Sequence, residues 1–169
     1  MTGISRFIRG ATLYGYVDLA SSLGLDPVAL LRQVGLTAQM LADPESRIPI
    51  DAANALLELS AQAGRAEDFG LRLAARRRLS NLGPISVVLR EEPTALAALR
   101  TLERYRHLVN PALGMRVEVS TDLVVVSEDI LTHGHAPLRQ PVEMAVGVLL
   151  RILQELLGAD WQPDRKSVV

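Results

Sequence analysis

Apolar positions recur along most of this chain at helical spacing, broken at intervals by glycine and proline. Leu13, Val17, Ala20 and Leu23 share one helical face, and Gly24 is a natural stop. Asp26-Pro27 offers an N-cap acceptor followed by a proline at the first helical position, with Leu30, Leu31 and Val34 behind it and Gly35 at the end. Thr37 can cap a short third helix to Leu41, and Asp43-Pro44 turns the chain. Asp51 is the expected cap of the next helix, whose core face reads Ala53, Leu56, Leu57 and Ser60 up to Gly64. Residues 67–79 predict a helix with a basic end, where Arg72, Arg76, Arg77 and Arg78 complement the helix dipole. Gly83-Pro84 opens a short helix over 85–89. Glu91-Glu92-Pro93-Thr94 then starts a longer one with the stripe Leu96, Leu99, Leu102, Tyr105 and Val109, ended by Asn110-Pro111.

The period then changes. Met115, Val117 and Val119 alternate with Arg116, Glu118 and Ser120, which is strand spacing; Thr121-Asp122 turns, and residues 123–126 can pair back. Residues 133–137 read as loop. Pro141 begins the strongest helix, with Val142, Val146, Leu149, Leu150, Leu153 and Leu156 expected toward the core and Gly158 at its end. The predicted fold is α+β and mainly helical: a helical bundle with one small antiparallel β-hairpin. No internal repeat or low-complexity segment interrupts it.

Composition narrows the class. The 169 residues suit one domain, long enough to bury a core. They are 49% hydrophobic and only 4% aromatic, and leucine and alanine dominate, which favours helix. A net charge of −1 gives no global reason to hold DNA or an anionic membrane. With no cysteine there is no disulfide, thiolate zinc site or cysteine nucleophile, which fits a cytoplasmic protein. The longest apolar runs, such as 146–150, are too short to span a bilayer.

Candidate chemistry is sparse. Residues 18–33 look like a helix-turn-helix, but the second helix opens with Asp26, Pro27, Val28 and Ala29, which offer little to a base edge; two helices packed across a glycine turn is the preferred reading. The Arg76-Arg77-Arg78 cluster can hold a phosphate or carboxylate, or simply sit solvated at a helix end. His133-Gly134-His135 lacks a further anchored ligand pair, so no metal is expected. There is no G-x-S-x-G, phosphate loop, dinucleotide fingerprint or H-E-x-x-H, so no catalytic residue, cofactor or enzymatic activity is expected.

A set of short motifs, in order, carries a resemblance. Gln33-Val34-Gly35-Leu36 leads to Asp43-Pro44 and Arg47-Ile48-Pro49; then come Phe69-Gly70-Leu71-Arg72-Leu73-Ala74, Leu82-Gly83-Pro84, and residues 102–110 with their Arg-Tyr core. Arg139-Gln140-Pro141-Val142-Glu143 through Leu157-Gly158-Ala159-Asp160-Trp161-Gln162-Pro163 completes it. In these the chain resembles the N-terminal effector domain of AraC-type transcription regulators, the subgroup whose sensory region is labelled arabinose-binding-like. The resemblance implies a sensory and dimerisation domain over 1–169, binding a small-molecule effector, forming a homodimer and touching DNA only through a C-terminal pair of helix-turn-helix motifs that this chain lacks. The ending Lys166-Ser167-Val168-Val169 reads as a cut end. The arabinose receptor itself is a β-barrel-like sensor, unlike this helical pattern, so arabinose is not the expected ligand. A ligand site is expected between helices and hairpin, with Tyr105, His107, Asn110 and Arg78 as its candidate polar residues. The helix from Pro141 to Leu157, apolar over a wide arc, is either central or shared with a partner chain. A dimerisation module that binds no effector is the alternative.

Overall fold

The computed structural model describes residues 7–132 and 137–164. Strand β1 (Phe7–Arg9) passes through a 3₁₀ turn (Gly10–Leu13) into α1 (Tyr16–Ser22), α2 (Pro27–Gln33), α3 (Ala38–Ala42) and β2 (Arg47–Pro49). Next come α4 (Ile50–Ala63), α5 (Phe69–Ala75), a second 3₁₀ turn (Leu79–Leu82), α6 (Ile85–Glu91) and α7 (Ala95–Val109). The hairpin β3 (Leu113–Val119) and β4 (Val124–Ile130) precedes the long α8 (Arg139–Leu157). The fold is therefore α+β and mainly helical, as the pattern predicts.

Local chemistry explains the boundaries. Asp26 accepts hydrogen bonds from the Val28 and Ala29 amides, each at 3.0 Å, Thr37 accepts from Met40, and Thr94 accepts from Ala97 at 3.1 Å. Gly24 takes a φ of +73°, so α1 and α2 pack as two helices across a glycine turn, burying Leu19, Ala20, Leu30 and Leu31. Asp51 does not cap α4: the helix begins one residue earlier, at Ile50, and Asp51 accepts from the Thr132 hydroxyl at 2.9 Å. The helix expected over 67–79 is shorter. Arg78 is extended, and its amide donates to Asn81 Oδ1 at 2.8 Å, a side-chain bond that starts the 3₁₀ turn instead of another helical turn.

A small sheet joins the predicted hairpin. β1 and β2 pair antiparallel with Ile8 opposite Ile48. Three-residue strands leave no alternation to read in sequence. In the hairpin, Leu113, Met115, Val117 and Val119 face Ile130, Glu128, Val126 and Val124 in turn. A two-stranded hairpin is marginal alone, and α7 braces this one. Arg100 Nη1 donates to the Val117 carbonyl at 2.5 Å, and the Val117 amide donates to Glu103 Oε1 at 3.1 Å. That amide bond, ahead of the Arg100 guanidinium, holds the Glu103 carboxyl below its ordinary value.

The core falls into two clusters. One gathers α1, α2, α4 and α5 around Tyr16, Leu56 and Phe69; the other gathers α6, α7, β3 and the end of α8 around Leu79, Leu89 and Leu102. Val148 on α8 packs against both. Gln140 ties the start of α8 to α5: its Oε1 accepts from the Gly70 amide at 2.7 Å, its Nε2 donates to the Glu67 carbonyl at 2.8 Å, and its own amide donates to Glu58 at 2.8 Å. The backbones touch there, because a Cβ on Gly70 would overlap the Gln140 carbonyl and one on Gly147 would lie 2.6 Å from Ala74 Cβ. This contact rotates α8 from its expected setting. The buried positions are Gln140, Pro141, Met144, Gly147, Ile152 and Leu153, while Val142, Val146 and Leu150 are half-buried.

Candidate functional site

The two clusters do not close completely. Between them lies a cavity of about 90 Å³. Each wall is one face of an element at its own period. Ile50, Ala53, Asn54 and Leu57 come from α4; Pro141, Met144, Ala145, Val148, Leu149 and Ile152 from α8; Leu102, Arg106 and Val109 from α7. The inner hairpin face adds Leu113, Met115, Glu128 and Ile130, β1 adds Ile8, and the N-terminal turn adds Thr12 and Leu13. Six of the 24 lining residues are polar: Thr12, Asn54, Arg77, Arg106, Asn110 and Glu128.

Arg77 follows α5 in the turn that ends it, and only 6% of it is exposed. Its Nη1 donates to the Thr12 carbonyl at 2.7 Å and to the Ala11 carbonyl, while its Nε has no hydrogen-bond partner among the described residues. No described carboxylate forms an ion pair with it. Burial, then the nearby charge of Arg9, lowers its pKa to about 10, so it stays cationic at neutral pH.

Glu128 occupies a core-facing position. On β4 it shares a face with Val124, Val126 and Ile130 and stands opposite Met115. Burial pushes its carboxyl up to about 7, and its Oε2 is buried without a partner among the described residues. Asn54, on the inner face of α4, is 6% exposed, and its Nδ2 likewise lacks a described partner. Arg106 Nη1 is anchored on the Glu103 carbonyl at 2.9 Å. The cavity therefore offers a desolvated cation, a carboxyl poised to carry a proton and a free amide donor inside a largely hydrocarbon wall. Among the described lining residues there is no histidine, cysteine, serine or lysine.

The residues expected from sequence divide. Asn110 lines the cavity, with its Oδ1 accepting from the Ala112 amide at 3.0 Å. Tyr105, His107 and Arg78 are exposed and outside its lining. Tyr105 does not turn its hydroxyl inward: the stripe of α7 advances from Leu102 to Arg106 and Val109, leaving Tyr105 38% exposed beneath the Arg104 guanidinium. Within the basic cluster it is Arg77 that turns inward, while its neighbours Arg76 and Arg78 face solvent. The His133 and His135 positions lie outside the described residues. The signal for Glu128 was an acid in an otherwise apolar alternation; Arg77 and Asn54 had none beyond their place in the cluster and on the α4 face.

A mainly helical domain enclosing an apolar cavity with a few converging polar groups is the architecture of a small-molecule-binding module. Residues 24–167 match the family model described as the arabinose-binding domain of AraC transcription regulators, N-terminal, and the chain belongs to that family. It is similar to the HTH-type transcriptional regulator VirS of Mycobacterium tuberculosis, at 33% identity over 118 residues in each of two strains. That match covers 70% of this chain and 35% of VirS, so it spans about a third of the length of the curated relatives. Family and relative are transcriptional regulators, a class ordinarily without enzymatic activity. Among the described residues no helix is long and apolar enough to cross a membrane.

Proposed function

We infer that this chain is the effector-sensing part of a cytoplasmic AraC-type regulator. It binds a small metabolite in the seam cavity and thereby sets the state of an attached DNA-binding segment. The observation that carries this reading is the set of buried polar atoms of cavity-lining residues that have no partner among the described residues: Arg77 Nε, Asn54 Nδ2 and Glu128 Oε2. Buried polar groups are nearly always paired, and three around one cavity suit a partner from outside the chain. Asn110 and Arg106 complete the polar lining.

The cavity draws on α4, α7, α8 and the hairpin, so a ligand that fits one spacing of these elements better than another shifts the population between them. Homodimerisation through this domain is the second part of the proposal. It has support from the outer face of α6, where Val87 and Val88 are 65% and 48% exposed. The test is a thermal-shift screen against amino acids, organic acids, sugars and fatty acids. A ligand at a hundredfold its dissociation constant adds about 2.7 kcal/mol. A dose-dependent rise with one chemical class supports sensing, and a flat response across the whole library overturns it in favour of a dimerisation module.

A further inference from the structure

The chemistry of the cavity narrows the ligand. Arg77 is a guanidinium taken out of water with no described counter-anion. Burying such a charge unpaired costs several kcal/mol, and two carbonyl acceptors on one nitrogen return only part of that. An incoming carboxylate would restore the missing partner through charge-assisted bonds. A phosphate dianion fits less well, because it would bring more charge than one buried cation answers and would add to the charge of Glu128 once that group ionises. Three-quarters of the lining is hydrocarbon, so the remainder of the ligand must be hydrocarbon too. A dry cavity of about 150 Å³ takes benzene; at about 90 Å³ this one suits a body smaller than benzene, of roughly three or four carbons. A pentose is disfavoured, since each of its hydroxyls would need a partner that these walls do not supply.

We propose, building on the sensing reading above, that the seam cavity selects a small monocarboxylate with a compact hydrocarbon body. Arg77 takes one oxygen of the carboxylate, and Asn54 and protonated Glu128 supply donors for its second oxygen. The carboxylate thus answers a charge that no described carboxylate pairs, and the bound state joins the two core clusters through the ligand.

The experiment is calorimetric titration of the full chain at pH 6 with butyrate, valerate and isovalerate. Valeramide, pentanol, L-arabinose and inorganic phosphate form the opposing arms. At least one carboxylate is expected to bind tenfold or more tighter than every opposing compound. Arg77→Met is expected to weaken that carboxylate at least a hundredfold and Arg77→Lys about tenfold, because an ammonium keeps the charge and loses the fork. Should Arg77→Met fail to fold, Arg77→Lys and Asn54→Leu carry the test. Valeramide or pentanol binding as tightly as valerate would overturn the carboxylate assignment while leaving sensing intact, and so would a preference for arabinose or phosphate. Carboxylate binding unchanged in Arg77→Lys would overturn it as well. The sensing reading fails separately, through the flat library screen.

Discussion

The two flanks of α8 solve opposite problems. Toward α5 the helix packs backbone against backbone: Gly70 and Gly147 leave no room for a side chain, and every polar group of Gln140 that enters the contact is paired. Toward α7 and the hairpin, Met144, Val148 and Ile152 face a cavity on which Arg77, Asn54 and Glu128 keep atoms without a described partner. A protein interior is ordinarily close-packed and its buried polar groups satisfied. The first flank is close-packed, although Glu143 Oε2 and Arg151 Nε on α8 are also buried without a described partner; the second combines a cavity with such atoms in one place. The difference separates a closed joint from an open seam, and the open seam is where the proposed ligand site lies.

The sharpest way to break the comparison is to crowd the joint. Gly70→Ala forces the α5 and α8 backbones apart and is expected to cost about 3 kcal/mol or more, read by urea denaturation. A loss under about 1 kcal/mol would show that the joint has slack and that the two flanks are alike. Gln140→Ala should cost about 2–4 kcal/mol, because it strands the Gly70 amide and the Glu67 carbonyl together.

The seam carries a group whose titration is coupled to folding. Burial raises the Glu128 pKa from 4.5 to about 7, so between those values the folded protein keeps a proton that the unfolded chain releases. Stability from this group is complete below about pH 4.5, falls as pH rises toward 7 and is flat above that, a total of about 3 kcal/mol. Glu128→Gln should remove that decline from a series of denaturation curves at pH 4.5–8. An unchanged series would place the Glu128 carboxyl in water. Asn54→Leu, by contrast, removes a buried donor without a described partner and should gain about 1 kcal/mol. A stabilising substitution at a site that should lose its ligand is the signature of polarity kept for function.

The two flanks were also unequally legible in the sequence. Caps, turns and the hairpin were readable because Asp26, Thr37, Thr94 and the alternation around Met115 act locally. The joint was not. Its closest contacts are made by glycines and a glutamine, which a count of apolar periodicity scores as surface, so the buried face of α8 was set toward Val142 and Val146 and away from Gly147. The seam was half legible. A cavity between helices and hairpin, with Asn110 on its lining, could be read, whereas Arg77 was not separable from Arg78 by composition, since only the turn after α5 decides which of them points inward. Tyr105 was misplaced by one step of the helix, because a stripe through Leu99 and Leu102 can continue to residue 105 or 106 with equal apolar logic until the hairpin fixes the phase.

That one-step ambiguity supplies the mildest and cleanest discriminator. Tyr105→Phe keeps the ring under Arg104 and deletes a hydroxyl on the exposed side of α7, so stability should move by less than about 0.5 kcal/mol. Affinity for any ligand found by the library screen should stay within about twofold, because Arg106 and Val109, not Tyr105, reach the cavity. A tenfold loss, near 1.4 kcal/mol, would mean that the bound ligand extends over the outer face of α7. The seam would then be only part of the site, and the contrast between its two flanks would describe packing rather than recognition.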